Sequence, residues 1–232
     1  MTTDKDTADV KRLFDTGAHF AQVKARRHPS MKPFLVGTKG RQEIIDLAKT
    51  SDQLEAAKGA METLAKEGKI VLFVGGKVEV AALVKKAAQD MQAPYVATRW
   101  LGGTISNWVE IKKRVDRLAE LSDTSAAGAM SKQHTKLELV KMDREKKRLE
   151  ERLDGITSMT KRPDALLVVD TKHEKYAVKE ANEAGIPIIA LMSSDCNLKE
   201  VAYPIVANDA SRETVRLVLT DLVGAFKKGQ TA

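Results

Sequence analysis

Lys69 Ile70 Val71 Leu72 Phe73 Val74, followed at once by Gly75 Gly76 Lys77, is the stretch that decides the fold. An unbroken apolar run without polar alternation describes a strand buried on both faces, as in a parallel sheet covered by helices on either side. The two glycines supply a turn. Val78 to Gln89 then reads as the returning helix through Val80, Leu83, Val84 and Ala87, and Pro94 to Thr98 as the next strand, which completes one βαβ unit.

The same alternation returns in the second half of the chain. Pro163 Asp164 introduce the buried strand Ala165 to Asp170, His173 to Ala184 reads as a helix stopped by Gly185, and Ile186 to Leu191 is the following strand. Tyr203 Pro204 Ile205 Val206 suits a short edge strand, where proline is tolerated. The last helix uses Val215, Leu217, Val218, Leu222 and Phe226, with Asn208 or Asp209 as its cap and a loose end from Lys227 onward.

Between the two halves lies a junction, Arg99 Trp100 Leu101 Gly102 Gly103 Thr104 Ile105 Ser106 Asn107 Trp108. Its glycines permit a sharp turn, and Thr104 or Ser106 can cap a new helix. Beyond it Trp108, Ile111, Val115 and Leu118 keep helical spacing. Leu139, Met142, Leu149, Leu153 and Ile156 form a second such register, with Lys146 in its polar slot and Ser122 to Ser131 as a loop between. Narrow apolar stripes ringed by Lys112, Lys113, Arg114, Arg117, Lys136, Lys141, Arg144, Lys147, Arg148 and Arg152 describe an antiparallel helical hairpin that projects from the domain, although Glu138, Asp143, Glu145, Glu150 and Glu151 also allow ordinary helix pairing.

The expected fold is therefore α/β, a three-layer αβα sandwich around a mainly parallel sheet of Rossmann-like or flavodoxin-like topology, with an inserted antiparallel coiled-coil hairpin. Residues 1–42 form an N-terminal helix and a basic arm, 43–103 and 157–228 the αβα domain, 104–156 the insertion and 229–232 a loose tail. The first helix starts at Thr7 or Asp9, turns Val10, Leu13 and Phe14 to one face and stops at Gly17. Pro29 and Pro33 favour an extended path for the arm. Glu43 to Leu47 reads as a short strand or turn, and Ser51 to Lys66 as a helix closed by Gly68.

Composition narrows the function. The 232 residues are 43% hydrophobic and 31% charged, which describes a globular chain. One cysteine, Cys196, excludes an internal disulfide and a CxxC zinc site, and the histidines His19, His28, His134 and His173 are too scattered to read as a ligand set. No apolar run approaches the length of a membrane span, so the expectation is a cytoplasmic protein with no membrane partner, metal or cofactor. The net charge of +7 is concentrated. Between Asp15 and Glu43 there are 27 residues without an acid, and they carry Lys24, Arg26, Arg27, Lys32, Lys39 and Arg41. Such a run points to a polyanion.

The candidate polyanion contacts are accordingly those six cations on phosphates, His28 and Trp100 as stackers on a nucleobase, and Arg99, Asn107, Lys112 and Lys113 beyond them. Trp100 equally suits packing between elements, the commoner use of a tryptophan. An alternative is a nucleotide-binding α/β enzyme using the Gly75 Gly76 Lys77 turn and Asp170, with His173 and Glu174 just beyond. The turn matches neither GxGxxG nor GxxxxGK[ST], however, no partner nucleophile, metal ligand set or cofactor fingerprint accompanies Asp170, His173 and Glu174, and a lone thiol such as Cys196, which could be a nucleophile, is more often a small buried hydrophobe. A coiled-coil adaptor is a third reading.

The same residues resemble a known family. Leu13 to Met31, with Gly17, His19 Phe20, Arg26 and Pro29, is followed in order by Ile44 Ile45 Asp46 Leu47 with Lys49 Thr50, Ile70 to Gly75 with Lys77, and Arg99 to Thr104 with Asn107. Pro163 to Leu166, Val169 Asp170, Ala177 to Asn182, Gly185 Ile186 Pro187 and Tyr203 Pro204 Ile205 with Asn208 Asp209 complete the pattern. Over residues 8 to 228 the chain is similar to the bacterial form of small-subunit ribosomal protein two. The resemblance implies the same αβα sandwich with a protruding coiled coil and a structural place on the small ribosomal subunit. It also implies that the polyanion is RNA, with contacts to ribosomal RNA and neighbouring proteins, a bridge between head and body, and docking of the large ribosomal protein that captures messenger RNA. No enzymatic activity, small-molecule substrate or cofactor is implied. The chain departs from the family in having Gln22 for a second histidine, Arg27 for a tryptophan, His28 for an asparagine, an altered loop from Ser193 to Leu198, and Val206 Ala207 for a proline and a glycine.

Overall fold

The computed structural model describes residues 4–126 and 135–231. Its centre is a five-stranded parallel sheet of β4 (Val71–Val74), β5 (Tyr95–Val96), β6 (Ala165–Val169), β7 (Ile188–Met192) and β8 (Tyr203–Val206), in the order β5-β4-β6-β7-β8. Counted from β4 this is the doubly wound 2-1-3-4-5 order, whose switch point falls between β4 and β6. The register places Phe73 beside Leu167 and Tyr95, and Leu167 beside Ile189. Pro204 sits on β8, an edge strand, beside Ala190.

The two buried faces explain the unbroken apolar runs. Val71, Phe73, Leu167 and Val169 point into a core shared with α1 (Asp4–Asp15), α2 (Leu47–Lys66), α3 (Val78–Asp90) and α7 (Arg212–Thr231). Leu72, Val74, Leu166 and Val168 point the other way. There they meet α6 (Lys175–Glu183), the junction and the inner ends of α4 (Trp108–Ala126) and α5 (Lys136–Leu153). Successive strand residues face opposite layers, so every position must be apolar.

Helix α4 continues through Ser122–Ala126, where a loop was expected, and the rest of that expected loop, Ala127 to Ser131, lies outside the described residues. Thr135 caps α5 through a reciprocal capping box with Glu138. The two helices lie side by side, tied by Arg117 Nε to Glu145 Oε1 at 3.5 Å.

Three local expectations are corrected. The end of the chain is not loose as far as Thr231, because α7 runs to that residue along α2, and Ala232 lies outside the described residues; a Cβ at Gly229 would lie 2.5 Å from the Glu62 carbonyl oxygen, so the glycine permits the approach. Neither Thr104 nor Ser106 starts α4, since their hydroxyls bond to Leu101 O and Glu180 Oε2 and the helix begins at Trp108. At α7 it is Ser211 Oγ that accepts from Thr214 N, in place of the anticipated Asn208 or Asp209.

The basic arm is also more ordered than an extended path. β1 (Phe20–Val23), β2 (Leu35–Lys39) and β3 (Gln42–Ile45) form an antiparallel sheet in the order β1-β3-β2. Two 3₁₀ turns, Lys24–Arg26 and Pro29–Phe34, carry the chain from β1 to β2. Pro29 opens the second turn, where a missing N–H costs nothing.

Candidate nucleic-acid interface

The arm docks on the carboxyl ends of β7 and β8. Ala21, Met31 and Ile45 pack with Met192, Cys196 and Val206 in a third apolar cluster. Polar links to the loop after β7 hold it there. His28 N donates to Ser194 O at 2.8 Å, Gln22 N to Ser194 Oγ at 3.1 Å and Leu198 N to Ser30 Oγ at 3.2 Å. The departures at Gln22, His28 and the Ser193–Leu198 loop thus meet one another in space.

Two of the arm's candidate contacts have internal duties. Arg27 Nη1 lies 2.7 Å from Glu43 Oε1, and the Glu43 side chain is only 3% exposed. This arginine compensates a buried acid. His28 bonds through Nδ1 to Ser30 Oγ at 2.7 Å and accepts from Ser30 N, so its half-buried ring caps the second 3₁₀ turn. What remains is a cluster of five exposed cations, Lys24, Arg26, Lys32, Lys39 and Arg41, none with an acidic partner among the described residues.

The junction is wrapped around one carboxylate. Glu180 Oε1 accepts from Trp100 Nε1 at 3.2 Å and from Gly103 N at 2.8 Å, while Oε2 accepts from Ile105 N at 3.1 Å and Ser106 N at 3.3 Å. Partial burial opposes the charge, but the Gly103 and Ile105 amides, the Trp100 indole and the Ser106 amide outweigh it and hold the Glu180 carboxyl below its usual range. Gly103, at φ 92, makes the turn that aims these donors. Trp100 is 7% exposed and packs in the second core, so its indole is structural and offers no free face to a base.

The other junction candidates lie at the surface. Arg99 is exposed at the mouth of a cavity of about 750 Å³ that it shares with Tyr176, Lys179 and Glu183. Asn107 is exposed at the start of α4, and its carbonyl accepts from Ile111 N. Lys112 is exposed, whereas Lys113 is 2.6 Å from Glu110. A groove of about 450 Å³ between α4 and α5 is lined by Arg114, Arg148 and Arg152, which have no acidic partner among the described residues. These guanidinium groups face one groove from two helices, which spacing along either helix alone does not reveal.

The turn after β4 is occupied by the protein's own carboxylates. Gly76 N donates to Glu174 Oε1 at 2.8 Å, the same oxygen that meets His173 Nδ1 at 2.8 Å. Lys77 Nζ pairs with Asp170 Oδ2 and lies 3.7 Å from Asp209 Oδ2. Burial first, then the neighbouring Asp170 charge, pushes the Asp209 carboxyl up to about 7 against the pull of Lys77. Burial likewise pushes the Cys196 thiol up to about 12, which leaves it an inert packed group. Donor atoms of Asp170, Cys196 and Asp209 lie within 4.8 Å of one another, and the Lys77 ammonium seated on Asp170 supplies a compensating positive charge there. A phosphate at this turn would meet Glu174 on the amide it needs and three aspartates nearby (Asp170, Asp195, Asp209), so the nucleotide-enzyme alternative does not fit its own site. Nothing in the local sequence marks Glu174 or Glu180 for these roles. Glu43 does carry a signal, as the first acid after the basic run.

A family model described as "Ribosomal protein S2" matches residues 13–229. The chain is 36% identical over 220 residues to a protein of Kocuria rhizophila named "Small ribosomal subunit protein uS2", covering 95% of this chain and 77% of the relative. A protein of the same name from Synechococcus elongatus is 37% identical over 217 residues, covering 94% and 86%. The similarity extends to "Small ribosomal subunit protein uS2c" of Rhodomonas salina, 36% identical over 220 residues, covering 95% and 90%.

Proposed function

The chain belongs to the ribosomal protein S2 family, and from that premise we propose that it binds ribosomal RNA as a cytoplasmic, structural component of the small subunit, bridging head and body. The family is one of ribosomal structural proteins and not of enzymes. The observation that carries the RNA-binding reading is the arm: Lys24, Arg26, Lys32, Lys39 and Arg41 stand exposed on a small sheet anchored to the domain and find no acid among the described residues. Cations of one sign on an ordered scaffold bind a polyanion without the cost of first ordering the backbone that carries them.

The bridging role is supported by a second cationic surface on a different element, the α4–α5 groove with Arg114, Arg148 and Arg152. Arg99 adds a charge at the junction, while Lys112, two residues from Arg114 on α4, stands exposed on the side away from the groove. Neighbouring ribosomal proteins, including the one that captures messenger RNA, are the protein partners in this reading. Among the described residues no helix is long and apolar enough to cross a membrane.

Titration of small-subunit ribosomal RNA at increasing salt tests the arm. If the five free cations each meet a phosphate, log affinity falls against log salt with a slope of about 3.5, from about 0.7 per contact. Alanine at all five positions brings the arm's share of the slope to zero. A slope that these substitutions leave unchanged removes the arm from the interface.

A further inference from the structure

Helix α1 ends beside a column of rings that the cationic contacts above do not use. Phe14 lies over His19 with centroids 4.5 Å apart and planes 10° from parallel, and His19 in turn meets Phe20 at 4.1 Å and 39°. The order is Phe14, His19, Phe20, and the outermost ring belongs to a residue that is 57% exposed. His19 is present for its ring: Nδ1 is buried with no hydrogen-bond partner among the described residues. Burial first, and the Lys39 ammonium second, lower its pKa, so at neutral pH the column is uncharged.

The charges around the column are positive where they face it. Lys11, exposed and three residues before Phe14, shares its face of the helix, while Lys39 acts on His19 from the arm. Neither has an acidic partner among the described residues. Asp15 is turned about 100° around the helix from Phe14. A flat neutral ring with a cation on its own helix face and another acting on the ring beneath it, neither paired with an acid among the described residues, matches an unpaired nucleotide, with base on ring and phosphate on cation. An aliphatic protein segment would leave both ammonium groups without a counterpart.

We propose that the exposed face of Phe14 is a stacking platform for an unpaired base of RNA, with Lys11 and Lys39 holding the adjoining phosphates. This inference rests on the RNA-binding reading but uses residues outside the contacts assigned above, apart from Lys39. It extends the RNA surface from the arm onto the N-terminal helix.

The test uses the full chain and a single-stranded RNA oligonucleotide carrying 2-aminopurine, whose fluorescence is quenched by stacking. The wild type quenches it on binding. Phe14→Leu keeps apolar volume but removes the ring, so it abolishes the quench and weakens binding about 5- to 150-fold, the span of one base–aromatic stack. Phe14→Tyr retains both. A Lys24→Ala, Arg26→Ala, Lys32→Ala arm variant binds more weakly yet still quenches at saturation. Phe14→Leu binding and quenching like the wild type, while the arm variant is weakened, overturns the platform and leaves the RNA-binding reading intact. Failure of the wild type to bind any RNA overturns both. If Phe14→Leu leaves RNA binding unchanged but lowers occupancy in small subunits, the ring serves a protein contact and the proposal is wrong.

Discussion

Replacing Glu180 by Gln is expected to loosen the attachment of the junction to the sheet. The carboxylate serves Trp100 Nε1 and Gly103 N through one oxygen, and Ile105 N and Ser106 N through the other. An amide retains one oxygen and turns an NH₂ toward the remaining pair of donors. The cheaper orientation sacrifices Ile105 and Ser106, because Ser106 is exposed and its amide can turn to water. Ile105 is fully buried, so its orphaned N–H costs about 1–3 kcal/mol. The two surviving bonds fall from charge-assisted to neutral, at roughly 1 kcal/mol less each.

The sum is about 3–5 kcal/mol, which for a chain of this size lowers the melting temperature by roughly 6–20 °C. The pH dependence gives a second signature. A carboxyl whose folded pKa is depressed contributes stability above its unfolded pKa, and that contribution fades as pH falls through the folded value. Wild type and variant should therefore differ most at neutral pH and converge on acidification below about 4. Urea unfolding at neutral and acid pH measures both quantities. A variant within about 0.5 kcal/mol of wild type at neutral pH, or a difference that acid does not reduce, refutes the carboxylate's organising role.

Arg27→Ala strands the buried Glu43 carboxylate and is expected to destabilise by about 2–3 kcal/mol, near the low end for breaking buried pairs because Arg27 is partly exposed, while leaving the RNA salt slope unchanged. Arg26→Ala should do the reverse, lowering the slope by about 0.7 with stability within about 0.5 kcal/mol, and paired unfolding and salt titrations separate the two. Asp209, with its carboxyl raised to about 7, favours the folded state most at low pH and loses that advantage as pH rises through 7; Asp209→Asn should flatten this part of the stability profile measured by urea unfolding. Cys196, with its thiol pushed up to about 12, should react with an alkylating reagent at pH 8 only after denaturation, as mass spectrometry can follow.

The sheet was legible in the sequence because burial on both faces leaves a plain trace, and the runs at Ile70–Val74 and Ala165–Val169 carry it. The junction's glycines and the packed Trp108 were legible for similar local reasons. Three-dimensional pairings were not. The arm's sheet escapes notice because its strands are short and two prolines interrupt the pattern, yet the turns place Phe20 opposite Ile44. Charge counting finds the basic run but not which arginine is spent on Glu43, because that depends on a contact 16 residues away. Likewise Glu180 lies 77 residues from Gly103, and no spacing rule reaches that far. The turn at Gly76 resembles a phosphate cradle until Glu174, 98 residues on, is seen to occupy its amide.

Sedimentation of gently lysed cells in low salt, with the native chain tracked by antibody, shows whether the chain resides on the small subunit. The chain should travel with small ribosomal subunits, raising salt should release it, and alanine at Lys24, Arg26, Lys32, Lys39 and Arg41 should move it to the free fraction without unfolding it. A wild-type chain found free of ribosomal particles in low salt, or a five-fold alanine variant that sediments as wild type does, contradicts this expectation.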